Sequence, residues 1–164
     1  MGDTYAARMA REGFRLSLLL NAVGCEVASA GIEIHSIAKA VSLFSVVLKQ
    51  AGEKCQNPGP IPSTEAIETI QEIASSCQRA FDEIERMLDR ARNDAIHGDG
   101  GHEFLQQRFR ETFKKHRVTY LLAYLETLKL SLIVVFEILR LAEVIEATRG
   151  YVDSLLRPPH RFIP

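Results

Sequence analysis

The stretch Val118-Thr119-Tyr120-Leu121-Leu122-Ala123-Tyr124-Leu125-Glu126-Thr127-Leu128-Lys129-Leu130-Ser131-Leu132 places apolar residues three and four positions apart, and the spacing continues through Val135 and Leu139 to Ala142. An α-helix turns once every 3.6 residues, so Val118, Leu121, Leu125, Leu128, Leu132, Val135, Leu139 and Ala142 fall on one stripe. Such a stripe is the seam of a helix packed nearly parallel to its neighbours. No Gly or Pro occurs from Glu103 to Arg149. An unbroken helix over that interval would be roughly 70 Å long, well beyond the diameter of a compact domain of this length. It must kink, project, or form the spine of an elongated bundle. Gly150 stands where such a helix would stop.

Three further stripes lie outside this one. Leu16, Leu20, Val23, Val27, Ala30, Ile34, Ile37, Val41, Phe44 and Leu48 keep one helical phase, while Gly24 and Gly31 weaken the helix where they fall. The interval therefore reads as one long helix or as two that meet near those glycines. Only Glu26, Glu33 and Lys39 are charged between Leu16 and Leu48, so this segment is the most buried helix or an interface. A membrane span is disfavoured, because a charge at mid-bilayer costs roughly 2.5 to 3.5 kcal/mol.

Asn57-Pro58-Gly59-Pro60-Ile61-Pro62 cannot be helical and makes a loop, after which Ser63 or Thr64 can cap the next helix with Glu65 near its positive end. Ile67, Ile70, Ala74, Cys77, Phe81, Ile84, Leu88 and Ala91 form the third stripe, closing on Arg90 and Arg92. His97-Gly98-Asp99-Gly100-Gly101-His102 is a turn, and Leu105, Phe109 and Phe113 begin the fourth stripe. Pro158-Pro159 end the helical part, leaving 157–164 as a tail or linker. The expected fold is all-α: a single domain over 1–164, an elongated bundle of four to five long helices in up-down packing, with 1–26 as an N-terminal extension or helix.

The chain has 164 residues, 46% of them apolar and 25% charged, which suits one globular domain with a core of its own. A net charge of -1 offers no general attraction for nucleic acid. Cys25, Cys55 and Cys77 are odd in number and lack CxxC spacing, so they read as free thiols in a reducing, cytoplasmic setting. Arg8, Arg11 and Arg15 ahead of Leu16–Leu20 resemble the start of a signal peptide, but Asp3, Glu12, Asn21 and Glu26 interrupt that pattern. Gly2 lacks the Ser or Thr that myristoylation needs at the sixth position, which is Ala6.

Catalytic chemistry finds little to use. No Glu-x-x-His pair suits a di-iron bundle, and neither Gly-x-Ser-x-Gly nor a phosphate-cradling glycine loop occurs. His97, Asp99, His102 and Glu103 have metal-ligand character, so a metal-dependent enzyme using the His97–His102 loop is a reading to keep, although three glycines make a flexible polar turn the simpler one. No catalytic, cofactor-binding or metal residue is assigned. His35 reads as a core-edge histidine with one hydrogen bond. Lys114, Lys115 and Arg117 are candidates for anionic lipid, against the simpler reading of a solvated face paired with Glu111. Glu126 and Lys129, three apart, mark an outward face.

Several stretches together resemble a known group. Val27-Ala28-Ser29-Ala30-Gly31-Ile32-Glu33-Ile34-His35-Ser36-Ile37-Ala38-Lys39-Ala40-Val41, followed by Leu43 to Gln50, is similar to the first helix of the HeLo-like N-terminal domains of fungal STAND (NLR-like) proteins. Cys77 to Ile84 and Lys114 to Leu132 are similar to later parts of those domains. The resemblance implies a non-enzymatic signalling domain, placed ahead of a nucleotide-binding switch, that acts in programmed cell death after oligomerisation. Some relatives are implied to permeabilise membranes through an exposed N-terminal helix. Here residues precede the usual starting helix and no nucleotide-binding domain follows, which fits a free-standing adaptor or a receptor fragment. The expected partner is a second copy or another helical domain, meeting Ile34, Ile37, Val41, Phe44, Leu48, Leu125, Leu128 and Leu132. The alternative is a membrane-binding effector that associates with an anionic membrane on activation. No cofactor is expected.

Overall fold

A computed structural model describes residues 4–56, 64–96 and 101–156. Among these the chain is helical throughout: α1 (Tyr5–Glu26), a 3-10 turn (Ala28–Ala30), α2 (Gly31–Gln56), α3 (Thr64–Ile96), α4 (His102–Thr112) and α5 (Lys115–Leu156). Arg15 of α1 bonds Glu85 of α3 at 2.8 Å, and Tyr5 bonds Gln78, so α1 and α3 run the same way. Lys54 of α2 meets Glu143 of α5 at 3.1 Å, while Lys39 and Leu43 lie beside Leu125 and Lys129, so α2 and α5 also run together. The four long helices go up, down, up and down, with the short α4 joining the last two.

The interval from Leu16 to Leu48 is two helices, and its glycines have a purpose beyond breaking a helix. A Cβ on Gly24 would stand 2.9 Å from the His35 ring, and one on Gly31 would stand 3.0 Å from the Gly24 carbonyl oxygen. On α2 the buried small residues Gly31, Ala38, Ser45 and Gly52 recur every seven positions; on α1 Ala10, Ser17 and Gly24 do the same. Small side chains in register let two antiparallel backbones approach closely. The residues before Val27 are therefore an integral helix, with Ala6, Met9, Ala10, Leu16 and Leu20 all in the core. Thr4 caps α1, its hydroxyl accepting from the Ala7 amide at 3.2 Å.

The long C-terminal interval breaks once. At Phe113 the backbone leaves the helical region (φ −96°, ψ 48°), separating α4 from α5 without Gly or Pro. Phe109 and Phe113 are both buried, their rings stacked with centroids 6.0 Å apart, and α5 restarts in a direction that keeps Val118, Leu121, Leu125, Leu128 and Leu132 in the core. Burial of two aromatic rings outweighs the backbone hydrogen bonds lost at the break. Gly150 does not stop α5, which runs through it to Leu156. A helical glycine costs only about 1 kcal/mol against alanine, too little to end a helix whose neighbours favour it. Likewise α3 continues past Arg92 to Ile96. Ser63 lies outside the described residues.

α4 closes one end of the bundle with a polar clip. Gln106 Oε1 accepts from the Ser29 amide at 2.9 Å, its Nε2 donates to the Glu26 carbonyl at 3.3 Å, and the Ser29 hydroxyl donates to the Gln106 carbonyl at 2.7 Å. The side chain thus satisfies groups left unpaired where α1 ends. Gln106→Ala is expected to cost about 1 to 3 kcal/mol, and to speed hydrogen exchange at the Ser29 amide before the rest of the α1–α2 hairpin.

Cys77 sits in the core, and burial, with the Asp82 charge adding to it, pushes its thiol far above the ordinary value of 9.0. Above that value the unfolded chain releases a proton that the folded chain keeps, so stability falls as pH rises. The slope from this one group approaches about 1.4 kcal/mol per pH unit. Urea unfolding at successive pH values above 9 should show stability falling more steeply in the native chain than in Cys77→Ala, so that the variant's deficit shrinks as pH rises.

Candidate interaction surface

α5 is 42 residues long, about 63 Å at helical rise. Its inner stripe is buried from Val118 to Leu132, half-buried at Val135, Leu139 and Ala142, and charged beyond, at Glu146, Arg149 and Asp153. The bundle seam therefore runs out near Ala142. A second stripe begins where the first weakens. Val134, Ile138, Leu141, Ile145, Val152 and Leu155 are between 44% and 67% exposed, and Thr148 completes their alternating four-three spacing. At about 100° per residue this stripe lies on the side of α5 opposite to Leu121, Leu125 and Leu132. The distal half of α5 thus carries a continuous apolar face turned to solvent.

The eight residues expected to meet a partner lie elsewhere. Ile34, Ile37, Val41, Phe44, Leu48, Leu125, Leu128 and Leu132 are all buried within the chain, none more than 9% exposed. They hold α2 and α5 to the rest of the bundle, and no partner reaches them while the bundle is closed. Periodicity marks a face as apolar without saying which neighbour covers it, and here the same chain does. The apolar face left open to solvent is the second stripe, whose spacing was readable in the sequence beside the first.

Lys114 and Lys115 are exposed and Arg117 is half-buried at the start of α5. They stand about 45 Å along the axis from Ile145, so they and the apolar stripe are not one patch. Glu111, the expected partner of this run, instead accepts from Gln107 at 3.0 Å and pairs with Arg108 at 3.6 Å. Glu126 and Lys129 form the expected ion pair at 2.6 Å. His35 is half-buried, its ring over Gly24 and its Nδ1 3.0 Å from Asn21 Oδ1.

His102 and Glu103 are exposed on the first turn of α4, with His102 3.4 Å from the Gln106 amide; His97 and Asp99 lie outside the described residues. Among the described residues no three His, Cys, Asp or Glu side chains gather as a metal site would require. A cleft of about 700 Å³ runs between the end of α2 and α5, lined by Gln50, Glu53, Lys54, Phe136, Glu137, Arg140 and Glu143. Two ion pairs lie within it, Lys54 with Glu143 at 3.1 Å and Arg140 with Glu137 at 3.8 Å. The segment Ala28–Gln56 is long and apolar enough to cross a membrane by length and composition. In the fold its helix packs against α1 and α5, with Ile34, Ile37, Val41, Phe44 and Leu48 on its buried side. Set against known proteins, the chain matches no family model, no curated protein and no solved structure.

Proposed function

We propose that this chain is a non-enzymatic helical interaction domain, of the signalling type found at the N-terminus of fungal NLR-like STAND proteins, that works in the cytoplasm through helix-mediated oligomerisation. The observation that carries this reading is the outward apolar face of distal α5, from Val134 to Leu155. A contiguous exposed apolar face on a helix marks a place of association. The core already supplies one cover for α5, and a partner helix supplies the other. Light scattering on the purified chain over a range of concentrations tests the reading: a mass that rises with concentration supports it, and a strictly monomeric chain overturns it.

A second reading, a membrane-directed effector, draws on the apolar length of Ala28–Gln56. It requires the bundle to open, because α2 carries the core on its inner side. Dye release from vesicles with and without anionic lipid separates the two readings. An interaction domain releases no dye from either, whereas release that depends on anionic lipid and falls when Lys114, Lys115 and Arg117 are neutralised would replace it with the effector.

A further inference from the structure

We infer that the outward stripe of distal α5 pairs with the same stripe of a second copy of this chain as a parallel two-stranded coiled coil. The inference rests on the interaction reading above and names the partner and the geometry.

The sequence of the stripe carries the first argument. In heptad terms Ile138, Ile145 and Val152 take the a positions, and Leu141, Thr148 and Leu155 the d positions. β-branched residues at a with Leu at d favour two parallel strands over three or four. Thr148 interrupts the apolar d series only once. In the parallel arrangement Glu137 stands across from Ala142 and Arg149 across from Val144, so no like charges meet beside the seam.

Area is the second argument. Five of the six seam residues, with Val134, Val144 and Tyr151 beside them, are 44% to 67% exposed in the single chain, and Thr148 is exposed too. Covering that remainder removes roughly 70 Å² from each side chain, or about 1,200 Å² over two copies, within the range that stable interfaces bury. Geometry permits it. The stripe points away from the core, so the two bundles sit on opposite outer sides of the paired helices and do not collide.

Charge separates this occupant from a membrane. Between Val134 and Leu155 the acids Glu137, Glu143, Glu146 and Asp153 outnumber the bases Arg140 and Arg149. An acidic polar face is repelled by anionic headgroups, whereas helices that lie on membranes are rich in Lys and Arg.

The test uses the full chain. Sedimentation equilibrium of the native protein should give a dimer in reversible exchange with monomer. Ile138→Glu/Ile145→Glu replaces exposed residues and should leave the helical spectrum unchanged while raising the dimer dissociation constant at least about 100-fold. Leu155→Cys in a Cys25→Ser/Cys55→Ser background, oxidised with glutathione disulfide, should form a disulfide between the two copies at position 155, since a parallel in-register pair brings those positions together whereas an antiparallel pair over the same stripe holds them about 25 Å apart. A dimer that survives the double glutamate variant overturns the stripe as its seam and leaves oligomerisation standing through another face. Loss of the dimer in that variant without the 155 cross-link overturns the parallel arrangement. A native chain that is monomeric throughout overturns both this inference and the interaction reading.

Discussion

Gly13→Leu is expected to separate α1 from the bundle. A Cβ at this position would stand 2.0 Å from Ser45 Oγ and 2.8 Å from the tip of the Phe81 ring, both closer than atoms in contact can lie. Even Gly13→Ala sets two effects against each other. Alanine gains about 1 kcal/mol of helix propensity, while overpacking costs about 1 to 3 kcal/mol. Overpacking wins here because two neighbours on different helices must move together. Ser45 is held by its hydroxyl bond to the Val41 carbonyl at 2.7 Å, and Phe81 by its contact with Phe44.

Leucine adds three more carbons to the same space, and the loss should exceed about 4 kcal/mol, in the range that single substitutions reach only by breaking a core. Circular dichroism and hydrogen exchange check this: protection should vanish over Tyr5–Glu26 first, or over the whole domain if α1 is essential to it. In Gly13→Ala, adding Ser45→Gly should restore part of the stability by removing the nearer obstacle. A Gly13→Ala chain more stable than the native one by the full propensity gain of about 1 kcal/mol would mean that α1 and α2 do not crowd at this point.

Phe44→Ala should cost about 3 to 5 kcal/mol, the usual range for deleting a fully buried aromatic side chain. Phe44 is 1% exposed at the centre of α2, and its ring meets that of Phe81 edge to face, with centroids 6.5 Å apart and planes at 79°. Its position where α1, α2 and α3 come together leaves little freedom for collapse into the space. In a domain of this size each kcal/mol lowers Tm by about 2 to 4 °C, so a fall of roughly 10 to 15 °C is expected in calorimetry. A double-mutant cycle with Phe81→Ala should return a coupling of about 0.5 to 1.5 kcal/mol for the ring pair. Additive losses would mean that the two rings act through separate parts of the core.

The apolar spacing in the sequence was enough to identify the helices, because burial of a helix face requires side chains at every third or fourth position whatever they pack against. The proline run at 58–62 was enough to separate α2 from α3. The break at Phe113 was not visible, since it comes from two rings that both gain by burial and not from any residue that forbids a helix. Nor was the role of Gly13, Gly24, Gly31 and Gly52, which in isolation weaken a helix and in the bundle admit a second backbone. For Gly24, Gly31 and Gly52 the seven-residue spacing shared with Ala10, Ser17, Ala38 and Ser45 was the signal that could have shown it, whereas Gly13 falls outside that series. The clip at Gln106 joins residues about eighty positions apart and has no local signature.

The same division explains the exposed apolar stripe of α5. By itself the sequence determined that this is an all-helical chain with more apolar stripe than one bundle needs, because period and composition are local properties that survive without coordinates. Only the tertiary structure decided which stripe is core and which is surface. Ile34, Phe44, Leu125 and Leu132 are covered by other helices of the same chain, whereas Ile138, Ile145 and Leu155 belong to a helix that outruns the core and leaves its far side in water. Burial depends on which elements meet in space, and that follows from where the long helices break, turn and end.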